Sequence, residues 1–393
     1  MNNSLGNAFP YIFVVLFIFS FWVFELKYKK TKNLEYFLLL SFSFIYLFFF
    51  GFRGFVGYDF FNYYVEYWTP LPLLGQSHFW STFISDDYVD LGFRFYLLIV
   101  KNVWDNYSFF VFVNTLIDWL LIVYFLRRYA IYYSFSLVVF LVMGGLIFEI
   151  DFIRNFKSIL FFILSLKYVE ERKFYPFLAL NVLGFLFHSS ALIYIPFYFF
   201  IDKKINFRWY WTFFLIANIL FLFHIPFFKY ILLPLANFLG GFVSILVIRY
   251  FENGDYSSYG FSIGYIERTS VAFLCFYFYK KNAFNRQNVI NMNLLLYYVL
   301  LFLFLGEVRE VTLRLPYLFF FSYAVVIPQI YTLIRRKLHR QLFVLTIIIY
   351  SFFKIYGLTG LNMYQYDNIL IGGYKDIEER QLMKNDVFLH HGE

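Results

Sequence analysis

Six arginines stand apart from the other cations of this chain. Arg53, Arg94, Arg154, Arg249, Arg309 and Arg314 each lie at or near the end of an apolar run, among Asp59, Asp90, Asp151, Glu252, Glu307, Glu310 and a single histidine, His188. A guanidinium stays charged when desolvated and forks two donors onto phosphate oxygens, so arginines gathered at a membrane surface suit a diphosphate. At such a surface the natural diphosphate ligand is a polyprenyl-linked saccharide. A base that takes a proton from a sugar hydroxyl would complete the chemistry, and His188 titrates in a suitable range. Asp59 and Glu252 are rival bases. The plainer reading is that each charge snorkels or pairs to anchor a helix end. Asp151 and Arg154, three apart, and Glu310 and Arg314, four apart, have the spacing of ordinary helix pairs. That reading leaves the excess of arginine over lysine on one side unexplained. The sequence has no P-loop, no GxGxxG and no DxD-type pair of acids in an outer loop, so neither a cofactor nor a metal is expected.

The stretch 53–64, RGFVGYDFFNYY, leads this group and follows directly on an apolar run. The elements that position it are set by composition. Of 393 residues 61% are hydrophobic, with a mean hydropathy of +0.64, more apolar surface than a soluble domain can bury. Repeated apolar runs of span length predict a polytopic all-α membrane protein. A β-barrel would need strict alternation, which runs such as 38–50 lack. The single cysteine, Cys275, lies in an apolar run, so no disulfide framework or thiolate site is expected. The net charge of +8 is distributed by membrane side rather than as a nucleic-acid patch. The run 9–24 has no basic stretch before it and no A-x-A after it, so no cleavable signal peptide is expected.

Lys27, Lys29, Lys30 and Lys32 read as cytoplasmic by the positive-inside bias, which puts residues 53–64 outside. Continuing along the chain predicts about twelve spans with both termini on the outer side. Residues 91–103 are short and read as interfacial or re-entrant. The run 225–248, broken by Pro226, Pro234 and Gly240-Gly241, reads as non-spanning or as entering and returning. About 19 of the 33 Lys and Arg fall at inner loops, and about 19 of the 25 Asp and Glu fall outside, with Asp118 left within a span. The expected organisation is one transmembrane domain over 1–357, with outer regions near 53–106 and 225–264, and a polar tail over 358–393.

The motifs Arg53…Gly57-Tyr58-Asp59…Tyr63, Asp90-Leu91-Gly92-Phe93, Ile153-Arg154-Asn155, Phe187-His188-Ser189-Ser190-Ala191-Leu192 and Arg314-Leu315 occur in this order. In order and sidedness they resemble the EpsG family, among the Wzy-type polymerases of bacterial O-antigen, capsule and exopolysaccharide. The resemblance covers about residues 50–330. The family usually has glutamate where Asp90 stands and glutamine where Asn155 stands, changes that keep the chemistry and alter its reach.

The resemblance implies a glycosyltransferase of the bacterial inner membrane that joins undecaprenyl-diphosphate-linked oligosaccharide repeat units on the periplasmic or outer face. Arg53, Tyr63, Asp90, Arg154, Arg249, Arg309 and Arg314 would hold diphosphate and sugar. His188, Asp59 or Glu252 would activate the acceptor hydroxyl. The partners implied are that lipid-linked oligosaccharide and the bilayer, with a chain-length regulator and a flippase of the same pathway; nucleic acid is not expected. Three other classes are the alternatives, of which the first two fit less well. A flippase would carry midplane charges and an internal repeat. An O-acyltransferase would need a cytoplasmic site. An O-antigen ligase uses the same donor and similar arginines.

Overall fold

The computed structural model describes residues 4–28, 31–76, 90–239, 259–282, 286–372 and 375–389. Among them there is no strand, only an isolated antiparallel bridge between Arg53 and Asn368. The helical class expected from the apolar runs is found. The chain divides into two compact units, Met1–Tyr198 with Ile334–Glu393, and Phe199–Leu333.

The first unit opens with α1 (Leu5–Lys27) and α2 (Lys32–Gly51). Ser4 and Thr31 cap them, accepting from Gly6 N at 3.2 Å and Leu34 N at 3.2 Å. The last turn of α2, Leu47–Gly51, widens to a π-helical turn, and another, Asn62–Trp68, follows the loop. Then come α3 (Leu91–Val103), α4 (Tyr107–Tyr129), α5 (Tyr133–Ile150), α6 (Ile153–Glu170) and α7 (Phe174–Phe187), with a 3-10 turn at Ser189–Ile193.

The second unit holds α8 (Phe207–Leu222), α9 (Phe227–Leu239), α10 (Ile263–Asn282), α11 (Arg286–Phe304), α12 (Arg309–Arg314) and α13 (Ser322–Leu333). The chain returns to the first unit with α14 (Lys337–Thr359), a turn at Asn362–Tyr364 and α15 (Ile377–Leu389).

Among the described residues six helices, α1, α2, α4, α5, α14 and α11 with its extension to Glu307, are long and apolar enough to cross a bilayer; α8 and the start of α9 make seven if that pair, bent by 93°, is one span. On α14 the exposed residues Leu338, Leu342, Leu345, Ile349 and Phe352 recur at three- and four-residue steps, an apolar stripe suited to lipid. The other runs counted as spans are shorter or more charged. α6 carries Arg154, Lys157, Lys167 and Glu170, and α10 carries Glu267, Arg268, Lys280 and Lys281. α3 has 13 residues, which at 1.5 Å each reach about 20 Å of a core near 30 Å. The bend between α8 and α9 falls within the run expected to be broken, whose residues 240–248 lie outside those described.

Two ends of the first unit differ in character. At one, Arg127 meets Glu35 at 2.9 Å and Arg128 meets Glu170 at 2.6 Å, while Glu25 accepts from the Tyr133 and Ser134 amides that open α5. At the other end, where Ser4 N donates to Gly360 O at 2.8 Å, lie Arg53, Asp151 and the polar tail.

Candidate active site in the first unit

The loop after α2 is built around two buried acids. Arg53 turns inward and is 5% exposed. It donates to Phe50 O at 2.7 Å, Glu149 O at 2.8 Å and Thr115 Oγ1 at 3.3 Å, and lies 3.7 Å from Glu149 Oε1. Glu149 is fully buried and also accepts from Tyr46 Oη and Thr115 Oγ1, each at 2.7 Å. Desolvation makes an ion pair this deep tolerable only with such extra bonds. Arg53, expected at a phosphate, is committed to holding α2, α4 and α5 together.

Asp151 organises the next step. Its Oδ1 accepts from the amides of Tyr58 at 2.7 Å and Asp59 at 3.1 Å, and its Oδ2 accepts from Tyr364 Oη. Burial pushes this carboxyl above the usual range, with the Tyr364, Asp59 and Tyr58 bonds opposing. Gly57 makes the approach possible. It has φ +96°, and a Cβ there would stand 2.1 Å from Asp151 Oδ1. The three-residue pairing of Asp151 with Arg154 is absent because Phe152 is non-helical and α6 begins only at Ile153.

From Asp59 the chain enters the π turn, Tyr63 N donating to Asp59 O at 3.0 Å. Lys101 of α3 closes the far end, giving Nζ to Trp68 O at 2.8 Å, Thr69 O at 3.3 Å and Leu71 O at 2.8 Å. Tyr63 is buried against Phe93 and Tyr67, with ring centroids 5.9 Å from each.

Arg154, in the first turn of α6, meets this wall. Its Nη1 lies 3.2 Å from Asp90 Oδ2, and its guanidinium sits 5.4 Å from the Tyr67 ring. Its Nε is buried without a hydrogen-bond acceptor among the described residues. Burial raises the Tyr63 hydroxyl, with Asp59 adding and Arg154 opposing, so both charges act on this one group. Asp90 is likewise raised by burial, against Arg154 and a bond from the Ser189 amide.

His188 ends α7 and caps the turn that follows. Its Nδ1 accepts from Ser190 N at 3.2 Å and faces Ser190 Oγ at 2.8 Å; that hydroxyl donates to Asn155 Oδ1 at 2.9 Å. These contacts fix the imidazole against Asn155 in the first turn of α6. Gly92 brings α3 to α7 at this point: a Cβ on it would lie 2.6 Å from Leu186 Cβ. Four separated motifs therefore meet: Asp59 and Tyr63, Asp90, Arg154-Asn155, and His188-Ser189-Ser190.

The other expected residues lie elsewhere. Arg309 and Arg314 are exposed on α12 of the second unit. Glu307 caps α9 there, accepting from Phe228 N at 2.6 Å and Lys229 N at 3.0 Å. Arg249 and Glu252 lie outside the described residues. Asp118 is paired with Lys157 at 2.6 Å and held by Asn114 Nδ2 at 3.0 Å. Sequence reasoning missed Tyr67, Tyr364 and Lys101. The aromatic spacing Tyr63-Tyr67 was a readable signal for the first; nothing local marked Tyr364.

What fold and site define is a polytopic helical membrane protein with a half-buried arginine, acid, tyrosine and histidine cluster at one end of its first unit. Residues 36–368, most of the chain, match the EpsG family, and the protein belongs to this family of Wzy-type polysaccharide polymerases. Comparison with curated proteins and with solved structures gives no match.

Proposed function

We propose that the protein is a glycosyltransferase that polymerises polyprenyl-diphosphate-linked oligosaccharide repeat units, undecaprenyl diphosphate being the carrier, at the outer face of the bacterial inner membrane. The observation that carries this reading is the Arg154 cluster: a forked cation paired with Asp90 and set against the Tyr67 ring, on the element that also meets the His188 turn. Arg154 binds the donor's diphosphate and stabilises it as it leaves, offsetting the developing charge without a metal. Asp59 takes the proton from the acceptor hydroxyl, which attacks the donor's anomeric carbon. His188 meets a substrate oxygen, and the face of Tyr58 supports a sugar ring. In this reading the charged or shorter helices α6, α7, α10 and α13 and the run 189–201 also cross, bringing the spans to about twelve, with both termini outside. Family membership and the meeting of four motifs support the reading.

Gene deletion followed by gel separation of the surface polysaccharide tests it. Product capped with a single repeat unit is expected. Loss of all surface polymer, with lipid-linked repeats accumulating inside, would overturn it in favour of a flippase.

A further inference from the structure

We propose that Tyr364, in the C-terminal segment, is a positioning residue for the transfer: acting through Asp151, it holds the backbone at Tyr58 and Asp59 and so aims the Asp59 carboxylate. The proposal rests on the reading in which Asp59 is the base. The segment runs antiparallel along the loop. Ile369 N donates to Phe52 O at 2.9 Å, Gly54 N to Asp367 O at 3.0 Å and Gly57 N to Met363 O at 2.9 Å, with Arg53 and Asn368 bridged.

At Tyr364 a side chain replaces the backbone pairing. Its hydroxyl takes one Asp151 oxygen while the Tyr58 and Asp59 amides take the other. Asp151 stands at the break between α5 and α6, two residues before the helix that carries Arg154. One carboxylate thus fixes the loop bearing the base to the element bearing the diphosphate contact. Geometry of this kind is what a supporting shell supplies to reacting groups.

The segment is itself firmly held. Tyr11 Oη donates to Tyr364 O at 2.9 Å and Asn368 Nδ2 to Phe48 O at 2.8 Å. Arg380 of α15, fully buried, pairs with Asp367 and donates to Gln365 O at 2.7 Å. A segment that merely covered apolar surface would need none of these directed bonds.

The test uses the full chain in lipid nanodiscs, with lipid-linked repeat units extracted from a polymerase-deletion strain as the probe. Tyr364→Phe keeps the ring that packs 5.8 Å from Tyr58 and removes only the hydroxyl. Amide exchange in a peptide spanning 55–63 should quicken about tenfold, with the peptide at the start of α6 unchanged. The kcat should fall about 10- to 100-fold while KM stays within about twofold, since Arg154 and Asp90 are held by other elements. Tyr210→Phe, which loses a comparable buried bond to Leu296 O in the second unit, should change neither. Unchanged exchange in Tyr364→Phe would overturn the pin. Faster exchange at unchanged kcat would overturn its positioning role. A wild-type protein that transfers nothing overturns the glycosyl-transfer reading and with it the role of Asp59, while the exchange result still decides the pin.

Discussion

Arg154 is the residue on which the proposed chemistry turns. Its planar fork is oriented from two sides, by Asp90 and the Tyr67 ring. Arg154→Ala should lower transfer by at least about 100-fold, leaving single-repeat product while the protein still inserts in the membrane. Arg154→Lys should recover only a small part, because an ammonium cannot fork onto two oxygens. Polymer of normal length from Arg154→Ala, read on a gel, would exclude the diphosphate role. Asp90 adds a pH dependence. Burial raises its carboxyl above the ordinary aspartate value, so as pH falls it takes up a proton sooner than a free aspartate would. Arg154 then loses its charged partner, and kcat/KM should decline on the acid side from above that ordinary value. Asp90→Asn should lower the plateau and remove this limb; an unchanged acid limb would assign it to another group.

At the scale of elements, two close approaches set the site. Gly92 lets α3 lie on the end of α7, which is what brings Asp90 within reach of Ser189 and Arg154. Gly92→Val should overpack this contact, costing about 1–3 kcal/mol and separating the Asp90–Arg154 pair. A lowered melting temperature together with lost polymer is the expected result. Lys101 does similar work for the π turn. Replacing it with Met leaves three carbonyls without their donor, one shared charge removed from a partly buried corner. A loss of about 1–3 kcal/mol is expected, read by thermal unfolding in detergent. Normal stability in Lys101→Met would show that water replaces the ammonium.

Across the whole molecule, buried charge is spent on assembly as well as on the site. Asp118 and Lys157 are both almost fully buried, and Lys157 is one turn below Arg154 on α6. Lys157→Met alone should cost about 3–5 kcal/mol, because it strands a carboxylate in the interior. The double variant Asp118→Leu with Lys157→Met should regain most of that stability and most of the polymer. A double variant that folds yet makes no polymer would place the pair in the transfer machinery instead.

The sequence by itself determined the helical class, the sorting of charges and the residues that meet at the site. Apolar runs of span length admit few other folds in lipid, and the motifs carried Asp59, Tyr63, Asp90, Arg154 and His188 in readable form. Partnership was not readable. Asp151 looked like the helix mate of Arg154 and proved to be a backbone clamp, because helix spacing has meaning only once the helix start at Ile153 is known. Arg53 looked like a phosphate contact and proved to be the partner of Glu149, 96 positions away. His188 was readable as a titratable side chain, while the turn that it caps through Nδ1 was not. Tyr364 lay in a tail that read only as polar. Each of these depends on which distant backbone atom a side chain meets, and that is decided by tertiary packing alone.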